Sequence, residues 1–403
     1  MERIDVKRRP LGKNGIEISE VSLGAMNLRM LKDLGLARRL VNDILDRGIN
    51  SIDTARGYNS QAGSVPMIES EVILGEVISA REDIDEPIHI ITKGHGYTPE
   101  AFMQHFGEST ARLQINQKDD GLYIGKTKIW FSYLLHGIKA DRWDIISKEG
   151  VLELANKYRS EGRFNFFGFS SHYGDAEVIK KAIETRMFNL CELPYNVYNP
   201  ILAEEGQTDL FKLANEYGMG VINMKAYNGS GSIAIFKQLS DLTNISYLDM
   251  TRYCLSNPYV STIDAGVRSI GEFLMNAEAS GMPLLSAEER SAMRDRARRV
   301  SPHLNKICRE CMHCLEKFEC PEGVNFPKML GVHGRYLVSQ SLGFDTSPYR
   351  DEFRSASAPY GAADYAAASV PAAVCKKCGE CLPWCEYHLN VPELLTQAQT
   401  DLG

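Results

Sequence analysis

The sequence predicts an α/β protein: a closed (β/α)8 barrel of the TIM type, followed by a small, mainly α-helical domain. Short apolar runs alternate with segments of helical periodicity eight times, and the alternation stops after about residue 280. Parallel strands need crossover helices, and eight such units in about 250 residues have the size of a closed barrel. Because 403 residues exceed what one core usually holds, we expect the barrel over 1–282 and a second domain over 283–403.

The candidate strands are runs rich in β-branched and apolar residues, at 17–24, 49–53, 88–93, 129–136, 164–170, 189–194, 219–224 and 260–266. Helical spacing between them predicts helices at 36–48, 69–78, 150–162, 175–186 and 208–218. A doubly wound open sheet is the alternative. Against it, the first strand is followed by LGAMNLRM (23–30), which lacks the G-x-G-x-x-G that cradles a pyrophosphate.

Net charge and the distribution of apolar residues indicate which kinds of partner and which cell compartment to expect. A formal net charge of -7 and a pI near 5.8 argue against nucleic acid and acidic membranes as partners, so small molecules and proteins are expected instead. The N-terminal stretch has no apolar run of signal-peptide length, and no run of 18 apolar residues occurs, so we expect a cytoplasmic protein. In that reducing compartment, clustered cysteines are more often metal ligands than disulfides.

The segment after residue 280 begins with a capping-box helix at 286–299 and then carries eight of the ten cysteines in two runs. A stretch rich in Ala, Ser, Pro and Tyr (355–374) separates the runs. The other two cysteines, Cys191 and Cys254, stand alone and are expected to be buried apolar residues.

Each cysteine run places three thiols at i, i+3 and i+6, which lets one loop turn three sulfurs toward a [4Fe-4S] cluster. Zinc is the main alternative, but it usually takes pairs of C-x2-C. A repeated frame ending in Asn-(Phe/Val)-Pro follows both runs, so two copies of one unit and two clusters are expected. By analogy with two-cluster ferredoxins, whose fourth cysteine ligates the other cluster, the ligand sets are Cys308, Cys311, Cys314 with Cys385, and Cys375, Cys378, Cys381 with Cys320. The five-residue gap before Cys320 and the missing proline after Cys385 leave the two fourth ligands open.

Polar residues follow three successive strands of the predicted barrel. Asp53 ends the second strand and is followed by Tyr58, Lys93 ends the third, and His136 ends the fourth. Chemistry in such barrels lies at the carboxyl ends of the strands. Each residue alone has a structural explanation, but four together predict an active site.

The chain resembles the aldo-keto reductases, specifically members with a C-terminal ferredoxin-like iron–sulfur domain. The resemblance rests on LGKNGIEISEVSLGAMN, SIDTARGY, IITK, YLLHG, EGRFNFFGFSSH, LPYNVYN, VINMKAYNGSG and STIDAGVRSIGEF, in family order. It implies a catalytic tetrad of Asp53, Tyr58, Lys93 and His136. Tyr58 would be the general acid, Lys93 its tuner held by Asp53, and His136 the residue that orients the substrate carbonyl.

The resemblance also implies a nicotinamide site. Ser170, Ser171 and Glu192 would surround the carboxamide, and Met224 and Lys225 would lie at the ring face. Glu192 stands where glutamine is commoner in the family, and its carboxylate would favour the oxidised, cationic ring unless Lys225 neutralises it. The cofactor's adenosine end would contact a segment that contains Gly266, Arg268, Glu272 and Asn276. Arg268 could hold a 2′-phosphate or form a surface salt bridge, and Glu272 would repel the phosphate, so NADP(H) and NAD(H) both remain open.

The resulting hypothesis is an oxidoreductase that moves a hydride between a nicotinamide cofactor and a small-molecule carbonyl or alcohol. One alternative is acid–base or transient-oxidation chemistry on a sugar-like substrate with tightly bound nicotinamide. Another is an electron-transfer module whose barrel is not catalytic. The clusters either have a structural role or exchange electrons with a ferredoxin-like partner. The segment 116–128 is longer than expected and is predicted to lie at the rim opposite the site.

Overall fold

The centre of the fold is a closed ring of parallel strands. The strands described in the computed structural model are, in chain order, β1 (Arg8–Pro10), β2 (Glu17–Ser19), β3 (Val21–Gly24), β4 (Ser51–Asp53), β5 (Ile88–Gly94), β6 (Ile115–Lys118), β7 (Gly121–Ile124), β8 (Thr127–Leu135), β9 (Phe166–Ser170), β10 (Leu190–Pro194), β11 (Gly220–Met224) and β12 (Val260–Gly266). Eight are parallel neighbours in the order β3-β4-β5-β8-β9-β10-β11-β12, and β12 pairs with β3 to close the ring. The predicted barrel is confirmed, and the open doubly wound sheet is excluded.

The structure describes residues 6–31, 33–60, 64–172, 175–200, 202–204, 208–227, 239–241, 243–300, 307–308, 314–315, 318–341, 345–355, 371–385 and 389–403. The chain divides into two compact units, Met1–Ala226 with Tyr247–Ala287 and Tyr227–Ser246 with Glu288–Gly403. The sequence placed a boundary between residues 282 and 283 and did not predict that 227–246 groups with the C-terminal part of the chain.

Helices of the first unit are α1 (Leu34–Leu45), α2 (Ser70–Ser79), α3 (Pro99–Arg112), α4 (Ala140–Ile146), α5 (Val151–Ser160), α6 (Ala176–Glu184), α7 (Leu210–Glu216), α8 (Tyr247–Leu255) and α9 (Ile270–Gly281). Several begin at a side chain that accepts a hydrogen bond from an otherwise unpaired backbone N–H, namely Asp33, Thr98, Asp175, Asp209 and Ser269. The five helices predicted from periodicity are present, with ends shifted by a few residues.

An antiparallel hairpin of β1 and β2 supplies apolar side chains to the inside of the barrel. Leu11, Ile16 and Ile18 form one buried cluster with residues from five barrel strands: Ile91, Leu134, Phe166, Leu190 and Ile222. The sequence predicted one strand over 17–24, but the chain changes partners at Glu20. The buried carboxylate of Glu20 pairs with Arg9 at 2.5 Å. This ion pair holds the point where the chain passes from β2, which pairs with β1, to β3, which pairs with the barrel strands β4 and β12.

Inward-facing side chains change in character along the barrel axis. Because side chains alternate between the two faces of a strand, Ile91 and Lys93 of β5 point to the same side. Ile91 lies in the apolar cluster, whereas Lys93 lies at the carboxyl end of its strand. His89 lies on the same face two residues before Ile91, and its Nε2 is 2.7 Å from Ser132 Oγ. Burial lowers the pKa of His89 to about 3, so this interior histidine is neutral.

Strands β6 and β7 form an antiparallel hairpin that extends the sheet beside the start of β8. Leu122 of β7 pairs with Ile129, near the first residue of β8, and Ile124 pairs with Thr127. The hairpin covers most of the predicted extra segment 116–128. It therefore lies at the amino end of β8, away from the strand ends that carry the candidate site.

The second unit is helical in its described part. Its helices are α10 (Ala287–Arg298), α11 (Phe326–Ser341), α12 (Pro348–Ser355) and α13 (Val391–Leu402), with short 3-10 helices at Ala372–Val374 and Leu382–Trp384. A separate core joins α11, α12 and α13, and its buried members include Val324, Phe326, Met329, Leu330, Val391 and Leu395. Across the described ranges of the chain, no helix is long and apolar enough to cross a membrane.

We predict that Leu11→Ala destabilises the first unit by about 2–5 kcal/mol, because it opens a cavity in the cluster that fills the barrel. Leu11 is 0% exposed, whereas Leu36 on α1 is 49% exposed, so the control variant Leu36→Ala should change the free energy of unfolding by about 0.5 kcal/mol or less. Urea unfolding followed by tryptophan fluorescence measures both, since Trp130 packs against the cluster. Equal losses in the two variants would contradict this role of Leu11.

Candidate active site

A buried ion pair lies where β4 and β5 end. The Lys93 ammonium donates to Asp53, and both side chains are inaccessible to solvent. The next turn is anchored to the same strand, because the Thr54 and Arg56 amides donate to the carbonyls of Ile91 and Lys93 at 2.8 and 3.1 Å. The strand ends therefore fix both the charged pair and the loop that follows Asp53.

Lys93 has a second carboxylate partner, on the opposite side of the ring. Glu192, on β10, lies with Oε2 2.8 Å from Lys93 Nζ and is buried. Lys93 is thus a cation that meets Glu192; the sequence had considered only Lys225 for this role.

A third acid, Asp264 on β12, joins this group. One carboxylate oxygen from each of Asp53, Glu192 and Asp264 lies within 4.8 Å of the other two. Asp264 Oδ1 packs against Gly24 so closely that a Cβ atom at Gly24 would lie 2.7 Å from it. Asp264 is partly exposed as a residue, but its Oδ1 is buried. Burial, with the charge of Glu192, raises the pKa of Asp264 to about 7.

Tyr58 lies above the ion pair. Lys93 Nζ is 5.6 Å from the centre of the Tyr58 ring. Backbone hydrogen bonds hold the residue, since its N–H donates to Ala55 at 3.0 Å and its carbonyl accepts from Ser70 at 3.0 Å. Desolvation raises the pKa of Tyr58 well above its usual value, and the neighbouring carboxylates raise it further while Lys93 lowers it. Tyr58 is therefore protonated near neutral pH; Lys93 acts in the direction expected from the sequence, but burial has the larger effect.

His136 faces Tyr58 from the end of β8. The two rings meet edge to face, with centroids 6.1 Å apart. Burial is the main reason why the pKa of His136 is well below its usual value, and the nearby His95 and His172 add to the effect. The imidazole is therefore neutral and has one N–H to donate.

His95 and His172 are site residues that the sequence reasoning missed. His95 stacks on His136 with ring centroids 4.5 Å apart, and His172 lies 5.4 Å from it. Both follow a strand end, at IITKGH and FSSH, so a search of every strand end for ionisable residues would have found them. The same search would have found Asp264 in VSTIDAG.

The structure brings Ser170, Ser171 and Glu192 together at neighbouring strand ends. The Ser171 N–H donates to the Glu192 carbonyl at 3.1 Å. Ser170 Oγ accepts from Gly137 N–H at 2.9 Å, and Ser171 Oγ donates to the Ile138 carbonyl at 3.0 Å. The two serines therefore hold the turn that follows His136.

Met224 and Lys225 follow β11. Met224 is buried, and Lys225 has a positive φ of 59°, a conformation uncommon outside glycine. The Lys225 carbonyl accepts from Asn196 Nδ2 at 2.9 Å, which holds the turn after β10 beside the turn after β11.

The segment expected to contact the adenosine end of a cofactor lies at the start of α9. Arg268 is bound to Glu272, through its backbone N–H at 2.7 Å and its guanidinium at 3.4 Å. Asn276 donates to the Glu272 carbonyl at 2.7 Å and is buried. Gly266, at the end of β12, accepts from Asn27 Nδ2 at 2.9 Å. The arginine is thus already engaged by a carboxylate.

Four cysteines of the second unit line one cavity of about 130 Å³: Cys320, Cys375, Cys378 and Cys381. Its other walls include Phe318, Val324, Phe326 and Leu395. Burial, with the charges of the other three sulfurs, raises the pKa of Cys381 to about 11. Of the other predicted set, Cys308, Cys314 and Cys385 belong to or pack against the same core, and Cys311 lies outside the described residues.

Comparison with known proteins finds several that are named as reductases or oxidoreductases. A curated relative is an uncharacterised oxidoreductase of Bacillus subtilis, 26% identical over 311 residues that cover 72% of this chain and 95% of the relative. Another is a 6-dehydroglucose reductase of Novosphingobium aromaticivorans, 34% identical over 122 residues; the match spans 28% of this chain and only 39% of that protein. The holo form of an aldo-keto reductase from Bacillus halodurans has a similar fold, with a TM-score of 0.55 and 24% identity over 72% of this chain and 96% of that one.

The sequence profile described as "Aldo/keto reductase family" matches residues 20–241, more than half of the chain. That range includes the strands β3 to β11 of the barrel and the residues that meet around Lys93 from β4, β5, β8 and β10. The chain therefore belongs to the aldo/keto reductase family, whose members are oxidoreductases built on this barrel.

Proposed function

We propose that the barrel transfers a hydride between a nicotinamide cofactor, NADP(H) or NAD(H), and a small-molecule carbonyl or alcohol. The observation that supports this most directly is the meeting of four groups at three strand ends: Tyr58 and His136 face each other beside the buried Lys93–Asp53 pair. Hydride delivery to a carbonyl carbon leaves negative charge on its oxygen, which a proton donor must neutralise.

Each of the four groups has a distinct part in this chemistry. Tyr58 carries the proton that passes to the carbonyl oxygen, and its raised pKa keeps that proton in place until charge develops on the oxygen. The neutral His136 donates a hydrogen bond to the same oxygen and orients it. Lys93 stabilises the phenolate that forms, and Asp53 holds Lys93.

The barrel mouth offers polar groups that suit a nicotinamide. Asn27 Oδ1 is a buried acceptor without a donor among the described residues, and Ser170, Ser171 and Glu192 line the neighbouring strand ends. These residues would hold the carboxamide, with Met224 and Lys225 at the ring face. The bound cofactor supplies or accepts the hydride, and the chain's own residues orient the substrate and move the proton.

A second candidate function is transient oxidation of a sugar-like substrate by a nicotinamide that stays bound. The relative from Novosphingobium is named as a reductase of an oxidised sugar. The site also holds three carboxylates and one ammonium within a few ångströms, an arrangement that favours an oxidised ring. Retention of a nicotinamide through purification would distinguish this candidate from an enzyme that exchanges cofactor in each turnover.

We also propose that the second unit is a ferredoxin-like iron–sulfur domain with two [4Fe-4S] clusters. The cavity of about 130 Å³ supports one cluster, because it is lined by three cysteines of the second run and by Cys320 of the first. Its apolar walls would shield a cluster from water. Cys308, Cys311, Cys314 and Cys385 would hold the other. Such clusters would either order this unit or pass single electrons to a ferredoxin-like partner.

The first test is Tyr58→Phe, which we expect to lower kcat by a factor of roughly 10² to 10⁴ while cofactor affinity stays nearly unchanged. Tyr123→Phe is the matched control, because Tyr123 lies on the β7 hairpin and bonds to Asp120. Steady-state carbonyl reduction and cofactor titration measure both variants. Undiminished turnover in Tyr58→Phe would remove the tyrosine from the mechanism and favour a non-catalytic barrel.

The second test is the metal content of protein purified without oxygen. Two clusters predict about eight iron and about eight sulfide per chain. Cys378→Ser should remove roughly half of the iron, whereas Cys254→Ser, at a buried cysteine of the first unit, should remove none. Zinc in place of iron and sulfide would overturn the cluster assignment.

The third test concerns the choice between NADP(H) and NAD(H). Glu272→Gln removes the charge that engages Arg268, so kcat/KM for NADPH relative to NADH should rise roughly tenfold, the order expected for one charge-assisted hydrogen bond to phosphate. Glu278→Gln, an exposed acid farther along α9, should leave the ratio unchanged. If Arg268→Ala has no effect on the same ratio, Arg268 does not bind a 2′-phosphate.

A further inference from the structure

We propose that Asp264 couples the redox state of the cofactor to a proton: the barrel mouth binds the oxidised, cationic nicotinamide with Asp264 as a carboxylate and binds the reduced, neutral nicotinamide with Asp264 protonated. Binding of the oxidised cofactor therefore releases a proton to solvent, and binding of the reduced cofactor does not. This inference rests on the proposed nicotinamide site.

The first step is the imbalance of charge. Three carboxylates lie within 4.8 Å of one another, and the ammonium that meets them is that of Lys93. Asp53 is 0% exposed and its Oδ1 has no hydrogen-bond donor among the described residues. The charge of Lys93 alone does not balance three carboxylates, two of which are buried and the third only partly exposed. A proton on one carboxyl group reduces the imbalance and supplies the missing donor.

The second step assigns that proton. Burial, with the charges of Asp264 and Glu192, raises the pKa of Asp53 well above its usual value, but Asp53 has a direct contact with Lys93 Nζ, which lowers the pKa and favours the carboxylate. Lys93 Nζ also contacts Glu192. Asp264 lacks this direct contact and is near Asp53, and its pKa is raised to about 7. Asp264 is also the partly exposed member of the group, which gives its proton a path to solvent. The proton therefore belongs to Asp264.

The remaining groups around Asp264 do not supply this proton near neutral pH. On β3 and the turn after it, Gly24 and Asn27 do not titrate. Tyr58 has a raised pKa and stays protonated, while His136 has a lowered pKa and stays neutral. Lys93 stays charged, because the charges of Asp53 and Glu192 outweigh the effect of burial and raise its pKa well above the usual value.

The third step is the linkage to the cofactor. Glu192 lies among the groups proposed to hold the carboxamide, so a bound nicotinamide ring would lie beside the three carboxylates. A cationic ring supplies the positive charge that the three carboxylates lack, and Asp264 then loses its proton. Below pH 7 the affinity for the oxidised cofactor should rise by up to about tenfold per pH unit, and it should level off above pH 7, where Asp264 is already ionised. The affinity for the reduced cofactor should not follow this course.

The experiment is calorimetric titration of the purified full-length protein with NADP⁺, NADPH, NAD⁺ and NADH, in buffers of different ionisation enthalpy. The slope of the observed enthalpy against the buffer's ionisation enthalpy gives the number of protons released. With a pKa of about 7 for Asp264, we expect release of about half a proton at pH 7 for the oxidised cofactor and none for the reduced one. Asp264→Asn should abolish the release and lower the ratio of oxidised to reduced affinity at pH 8 by roughly 10- to 100-fold.

Two further variants keep the test specific. Tyr58→Phe should still release the proton, which separates Asp264 from the phenol. Glu71→Gln is the matched control, since Glu71 is a buried acid with a raised pKa that bonds to Thr92, on the opposite face of β5 from Lys93. It should leave release unchanged.

The outcomes separate the two proposals. If neither form of either cofactor binds, the proposed function fails. If both forms bind and the wild type releases no proton, or if release persists in Asp264→Asn, the function stands and the coupling is wrong. If Asp264→Asn does not fold, the pH dependence of the wild type's affinity for the oxidised cofactor still tests the coupling.

Discussion

The ammonium of Lys93 is the charge around which the barrel mouth is arranged. It is fully buried, so its desolvation must be offset by partners that the fold holds in place. Asp53 comes from the neighbouring strand and Glu192 from β10, on another part of the ring, and their distances to Nζ depend on closure of all eight strands. The chemistry proposed for Tyr58 and His136 thus depends on a charge that only the complete barrel can support.

This arrangement also explains why the polar groups lie at one level. Along β5 the inward-facing positions change from a hydrogen-bonded histidine at His89 to the aliphatic Ile91 and then to the charged Lys93. Every second residue of a strand faces the inside of the barrel, so successive inward side chains lie two residues apart along the barrel axis. An ionised group one step deeper would lie in the aliphatic cluster without a partner.

The sequence predicted the parts of this structure that depend on local pattern. Strands, helices and the strand-end position of Asp53, Lys93 and His136 all follow from periodicity. The pair of Lys93 with Asp53 was implied by the family resemblance, but the contact of Lys93 with Glu192 was not predicted, because it depends on how strands far apart in sequence are placed around the ring. The sequence reasoning missed Asp264 because it lies within an apolar run near a strand end, and its register beside Ser22 and its contact with Gly24 show that it faces the site. The break of the first strand at Glu20 likewise depends on Arg9, a tertiary partner.

The grouping of 227–246 with the C-terminal unit bears on how separable the two parts of the chain are. The chain leaves the first unit after β11, contributes to the second unit, and returns for α8, β12 and α9. Arg296 of α10 donates to the Asn244 carbonyl at 3.1 Å, so part of this excursion is held by a helix that follows the barrel. A truncation after residue 287 would leave an internal loop without the rest of its own folding unit. The second unit, which bears the cysteine runs, is therefore built from two separate segments of the chain, with part of the barrel between them. It is not a tail that could be removed, or transplanted, at a single junction.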